Sequence, residues 1–262
     1  MVRIKVTFFD MAGKSFPFDY HNVLSAVIYN IINTTDSDFA RWLHDHGYGE
    51  KRKYKFFNFS PVTAKPGELE VDRKSRVVIF KTDTAYMYIS TPKEELAISL
   101  INSLSVIKMI KVRGEWYKID SVTAISPPSF ENSAIFKAIS PIVLTRPVVD
   151  EFGNFSSPEY VRPWDEDVNH MLKKNAISKY MEYGHKIDET KVEFFVDEEY
   201  IKRKGQDNVI CARRYKKEKI IGFKVPVKVK ASPEFLHFIY DIGLGAKNSQ
   251  GFGMIELSGW RY

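Results

Sequence analysis

An α+β fold of tandem ferredoxin-like domains, each an antiparallel sheet with helices on one face, is what this sequence predicts. Three observations carry the prediction. The apolar pattern runs strand–helix–strand–strand–helix–strand, and then the same order recurs. The stretch ISPPSFENS, residues 125–133, separates the two passes and has the composition of a joint. The chain has 262 residues, 44% of them apolar, which is enough for two cores of ordinary size.

The elements follow in order. Residues 2–10 alternate apolar and polar, as a strand does. Residues 20–33 and 37–46 show helical spacing. Leu24, Val27, Ile28 and Ile31 form the apolar stripe of the first helix, and Phe39, Trp42, Leu43 and His46 that of the second. Residues 53–64 read as a strand and 76–90 as a strand pair. STPKEEL then opens a helix over about 92–104, with Ser or Thr before Pro and acids in the first turn. Strands continue to about 125. Beyond the joint come a strand over 134–149, a loop and helix over 158–183 and a strand over 192–196. A hairpin of 209–215 with 220–229 follows, then a helix over 233–242 capped by Ser232, and a last strand over 253–257. The predicted domains are residues 1–126 and 132–262.

Composition narrows the function. No apolar run approaches the roughly 20 residues that cross a bilayer, and the first residues carry no signal-peptide pattern. The single cysteine, Cys211, has no internal disulfide partner and leaves nothing for a thiolate metal cluster. The expected compartment is the cytoplasm. With 39 Lys+Arg against 33 Asp+Glu, the chain is basic, and the charge is clustered in KRKYK (51–55), RRYKKEK (213–219) and KVPVKVK (224–230). Basic clusters interleaved with 14% aromatic residues suit single-stranded nucleic acid, on a sheet scaffold of RRM-like type. The same clusters also fit solvated hairpin edges.

The stretch GLGAKNSQGFG, residues 243–253, holds four of the chain's 14 glycines. It is not a dinucleotide loop, because Asn248 stands where the third glycine belongs, and it lacks the spacing of a phosphate-binding P-loop. It also follows a helix instead of opening one, so Gly243 reads as a helix stop. Two readings stand: a pair of tight turns, or bare backbone approached closely by a polyanion with Lys247 beside it.

GLGAKNSQGFGMIEL resembles the C-terminal glycine-rich motif of the RAMP superfamily, and more narrowly that of the CRISPR repeat-processing endoribonucleases, the Cas six family. DYHNVLSAVIYNII (19–32), FARWLHDHGY (39–48), KYKFFNFSPV (53–62) and AISPIVLTRP (138–147) resemble further segments of that family, in order. The resemblance implies cleavage of RNA without metal or other cofactor. The RNA's own 2′-hydroxyl would attack the adjacent phosphate, leaving a 2′,3′-cyclic phosphate and a 5′-hydroxyl. It implies CRISPR repeat RNA as the partner; other CRISPR-associated proteins and a second copy of the chain stay open as further partners. The family's catalytic tyrosine, histidine and lysine fall on Tyr29, His44 and Lys55, in the N-terminal domain.

The residues themselves bear on that placement. In the second helix His44 lies roughly 140° from Phe39, on the polar side, whereas His46 falls on the apolar stripe or at the cap. His44 is the first candidate for the base and His46 the second. Tyr29 sits off the apolar stripe of its helix. Lys53 and Lys55 share one face of a strand, so either can reach a phosphate, and spacing to FNFS favours Lys55. RNA binding is assigned to Lys51, Arg52 and Lys53, to Arg213, Arg214, Lys216 and Lys217 of the hairpin, and to Gly243, Gly245, Lys247, Asn248, Gly251 and Gly253 of the glycine loop.

Overall fold

Apolar alternation in β1 (Val2–Phe9) buries Ile4, Val6 and Phe8 on one side and turns Arg3, Lys5 and Thr7 to the other. The computed structural model describes residues 2–50, 52–150, 152–153 and 157–258. After β1 come β2 (Ser15–Pro17), α1 (His21–Thr35), α2 (Ser37–Asp45) and β3 (Asn58–Phe59). The first half continues with β4 (Leu69–Asp72), β5 (Val77–Phe80), β6 (Ala85–Thr91), α3 (Glu94–Val106), β7 (Met109–Val112) and β8 (Glu115–Ile125). Its main sheet has the order β3-β6-β1-β8-β7, antiparallel throughout. β2, β5 and β4 make a separate small sheet.

The second half holds β9 (Ser133–Ala138), β10 (Thr145–Arg146), β11 (Glu159–Tyr160), α4 (Val168–Glu182) and β12 (Glu193–Val196). Next are α5 (Glu198–Lys204), α6 (Gln206–Val209), β13 (Ile210–Tyr215), β14 (Glu218–Phe223), β15 (Val227–Lys230), α7 (Pro233–Ile242) and β16 (Ile255–Leu257). Its main sheet has the order β12-β15-β9-β16, again antiparallel. Each half therefore places its first strand at the centre, beside its third and fourth, which is the ferredoxin-like arrangement. Both main sheets cover one face with helices, and each builds its own apolar core.

Several sequence expectations are corrected. The strand predicted over 53–64 is regular only at Asn58–Phe59, flanked by isolated bridges at Tyr54 and Thr63. Phe56 takes a left-handed φ of 47°. Its ring enters the core of the second half, while that of Phe57 enters the core of the first. Adjacent side chains of a strand already face opposite ways, so it is the left-handed φ at Phe56 that interrupts the strand. The pair predicted over 76–90 is no hairpin, since β5 and β6 belong to different sheets. The strand predicted over 134–149 is regular only at β9 and β10, and the helix predicted over 158–183 begins only at Val168. The strand predicted over 220–229 breaks into β14 and β15 around Pro226, which has no N–H for a ladder. The helices α5 and α6 had no counterpart in the sequence reading.

The halves are clamped by buried polar contacts. Arg3 donates to the Tyr240 carbonyl and stacks on that ring, 3.6 Å from its centroid. Ser90 donates to the Asp241 carbonyl, and Tyr183 donates to Pro92 O at 2.7 Å. Asn58, fully buried in β3, donates to Ile242 O at 3.2 Å and Phe252 O at 3.1 Å. Replacing Asn58 by Ala takes the side-chain donor from Ile242 O and leaves Phe252 O with Asn248 alone, so a loss of about 1–3 kcal/mol is expected in denaturant unfolding.

Candidate active site

His44 owes its position to the two faces of α2. Asp36 caps the helix by accepting from Phe39 N at 2.9 Å. Ala40 and Leu43 face the core, which turns His44 outward with its side chain 69% exposed. The predicted apolar stripe is narrower than the sequence suggested. Trp42 is 38% exposed, and His46 is an exposed C-cap residue.

Tyr29 projects from α1 and is half-buried. Its ring meets that of His44 edge to face at 5.3 Å between centroids. Burial, with Tyr215 nearby, pushes its hydroxyl up to about 12, so it is a proton-bearing donor at neutral pH. Lys55 arrives from the irregular segment before β3. Its Nζ donates to the His44 carbonyl at 2.6 Å, leaving two further N–H donors on the ammonium. Burial lowers the Lys55 pKa from its ordinary value, and the Asp45 carboxylate offsets part of that.

Tyr29, His44 and Lys55, distant in sequence, thus line one cleft of about 410 Å³. Ser25, Tyr215, Lys216, Ser249 and Gln250 line it too, and the sequence reading had assigned a role only to Lys216 among them. His44 Nδ1 lies 2.8 Å from Asp45 Oδ1. That hydrogen bond holds the Asp45 carboxyl below the usual carboxylate range. A carboxylate at Nδ1 keeps the proton on that nitrogen, so in the neutral ring Nε2 carries the lone pair.

The other candidates divide. Lys53 is tied to Gly49 O at 2.6 Å, and with Arg52 it lines an adjoining cavity instead of the cleft of His44. Lys51 lies outside the described residues. Lys216 sits in the hairpin turn at a left-handed φ of 55° and reaches the cleft, whereas Arg213, Arg214 and Lys217 do not line it. The Arg214 N–H donates to Asp19 Oδ1 at 2.9 Å.

The four glycines of the loop are buried, so the expectation that they bare their backbone to a polyanion is corrected. Protein fills the space in front of each. A Cβ on Gly243 would overlap Asn58 Nδ2 and Gly253 O, and one on Gly251 would stand 2.5 Å from the Phe59 ring. A Cβ on Gly253 would overlap the Leu244 carbonyl. Gly243 and Gly251 are bare because Asn58 and Phe59 of β3 pack against them, and Gly245 and Gly253 because Val143 and Leu244 of the second half do.

Beneath the loop lies a residue the sequence reading missed. Lys179 of α4 is 2% exposed and donates to Gly243 O at 3.1 Å, Gly245 O at 2.8 Å and Asn248 Oδ1 at 2.8 Å. Burial pushes its pKa down to about 7, and the three acceptors match the three donors of its ammonium. Asn248 in turn donates to Leu244 O at 3.2 Å and Phe252 O at 3.0 Å. A lysine on the apolar face of the predicted helix over 158–183 was the available signal.

Among the described residues, no helix is long and apolar enough to cross a membrane, and no three His, Cys, Asp or Glu side chains gather as metal ligands.

Two family profiles cover nearly the whole chain. "CRISPR-associated protein Cas6, N-terminal" matches residues 15–123, and "CRISPR associated protein Cas6, C-terminal" matches residues 125–257. The chain belongs to the Cas6 family.

Among curated Cas6 proteins, it is similar to CRISPR-associated endoribonuclease Cas6 1 of Methanocaldococcus jannaschii. The two are 27% identical, over 91% of this chain and 86% of the relative. It is also similar to CRISPR-associated endoribonuclease Cas6 of Pyrococcus furiosus, at 25% identity over 93% of this chain and 84% of the relative. Two solved structures share the fold. One, described as an RAMP protein binding different RNA substrates, has a TM-score of 0.80 at 20% identity, covering 99% of this chain and 100% of that one. The other, described as CRISPR associated protein Cas6, has a TM-score of 0.75 at 24% identity, covering 98% and 99%. Cas6 membership thus extends over both ferredoxin-like halves and includes both the cleft and the glycine loop.

Proposed function

We propose that this Cas6 family member is a metal-independent endoribonuclease that cuts CRISPR precursor RNA within its repeats. The observation that carries the reading is the meeting of Tyr29, His44 and Lys55 in one cleft, with Asp45 on Nδ1 of the histidine.

His44 Nε2 takes the proton of the 2′-hydroxyl, and the 2′-oxygen bonds to the adjacent phosphorus. The bond from phosphorus to the 5′-oxygen breaks. The Lys55 ammonium neutralises charge on the phosphoryl oxygens and supplies a proton to the leaving oxygen. The Tyr29 hydroxyl donates a hydrogen bond that orients the phosphate. The products are a 2′,3′-cyclic phosphate and a 5′-hydroxyl. Domain roles follow: the first half carries the reacting groups, and the second holds RNA through the side chains of Lys216 in the hairpin and Lys247 in the glycine loop.

The test uses labelled RNA carrying the repeat of the chain's own CRISPR locus. Cutting is expected to persist in EDTA and to stop when the nucleotide 5′ to the cut is 2′-deoxy. Loss of activity on chelation, or cutting of the 2′-deoxy substrate, overturns the mechanism. Binding is expected to weaken as salt rises, because cationic side chains displace the counterions of the phosphates. The logarithmic slope, read by filter binding, reports how many phosphates are neutralised.

A second reading is a non-catalytic RNA-binding member of the same superfamily. The likeness to the RAMP protein described as binding different RNA substrates supports it. RNA bound but left uncut by the purified protein would decide for that reading.

A further inference from the structure

Beside the cleft of Tyr29, His44 and Lys55 lies a second cavity of about 390 Å³. Lys55 and Ser249 form a wall common to both. Arg52, Lys53, Lys55 and Lys247 line the second cavity, and the buried Lys179 underlies it. No carboxylate is among its described lining residues. Glu218 reaches Lys247 only at 3.9 Å, and Lys53 is held by a backbone carbonyl. Positive charge is thus concentrated without matching negative charge, in a concave site with low-dielectric walls, which focuses its field on an anion.

The cavity also contains an amide with no protein partner. Asn175 lies one helical turn before Lys179 on α4, on the same face, and lines the cavity. Its Oδ1 is buried and accepts no hydrogen bond. A buried acceptor left empty is unfavourable, so a turn of the amide that presents Oδ1 to a donor on a ligand in the cavity relieves that cost. An asparagine amide offers a donor and an acceptor side by side, which is the pattern that reads the edge of a base.

We infer that this cavity is a nucleotide pocket, in which Arg52, Lys53 and Lys247 hold phosphate and the Asn175 amide reads the base of a nucleotide flanking the cut. The inference rests on the endoribonuclease reading above. The shared wall at Lys55 places the pocketed nucleotide next to the phosphate being broken. Lys179 fixes the wall made by Gly245 and Asn248, so the pocket keeps its shape before RNA arrives.

The test measures cleavage of repeat RNAs in which each of the four bases is placed, in turn, at the nucleotides flanking the cut. Wild type is expected to discriminate at one of these positions by tenfold or more. In Asn175→Ala that discrimination collapses to within about twofold, and the half-saturating enzyme concentration rises about tenfold. Asn175→Asp, which sets a carboxylate among the cations, weakens binding further. Thermal melts of both variants establish that they fold. Wild type indifferent to the base at every flanking position, or discrimination that survives in Asn175→Ala, overturns the inference. Failure of wild type to cut any of these RNAs sinks the endoribonuclease reading instead, so the two failures are distinct.

Discussion

Replacing His44 by Ala is expected to lower the single-turnover cleavage rate by on the order of 10²–10⁴, the usual contribution of a positioned general base. RNA affinity is expected to change by less than about threefold. The two effects separate because of where the imidazole sits. Its side chain is 69% exposed and packs only edge to face on Tyr29, so its removal leaves no cavity in the core. It is also not among the lysines and arginines that hold phosphate. The same argument ranks its neighbour: His46, beyond the end of α2 and outside the cleft lining, is expected to tolerate Ala with little loss of rate. Gel assays of cleavage, with binding measured on uncleavable 2′-deoxy RNA, read both quantities. An unchanged rate in His44→Ala would remove the base from the mechanism.

The second large effect is structural. Gly253→Ala is expected to cost about 3 kcal/mol or more. The residue has a φ of 71°, which an L side chain adopts only with strain, and its Cβ would run into the Leu244 carbonyl. That carbonyl also accepts from Asn248, which in turn holds Lys179. A clash at Gly253 therefore reaches the buried ammonium and both cavities beside the loop. In a chain of this size the melting temperature is expected to fall by roughly 6–12 °C. RNA affinity is expected to fall with it, even at temperatures where the variant stays folded. A melt and a binding isotherm below the transition separate the two. Full stability in Gly253→Ala would mean that the loop is looser than the contact of Gly253 with Leu244 indicates.

Much of this was legible in the residues. Periodicity located α1, α2, α3 and α7 to within about two residues, because each buries a stripe whose spacing is local. Ser232 and Pro233 marked the start of α7, and Gly243 its end, because caps are set by neighbouring residues. The same helical phase turned His44 outward. Reading failed where two halves of the chain compete for one segment. Phe56 and Phe57 look like neighbours in a strand, and nothing local shows that the backbone turns left-handed at Phe56 or that a second core receives its ring.

The sequence alone determined the repeated strand–helix order, the polar phase of His44 on α2 and the left-handed turns that only glycine adopts without strain, since each depends on residues a few positions apart. Tertiary structure decided the rest. It joined Tyr29, His44 and Lys55 in one cleft, set Lys179 under the glycine loop and laid Asn58 across the carbonyls of Ile242 and Phe252. Those contacts join residues far apart in the chain, and the hydrogen bonds and packing that select them exist only once both cores have formed.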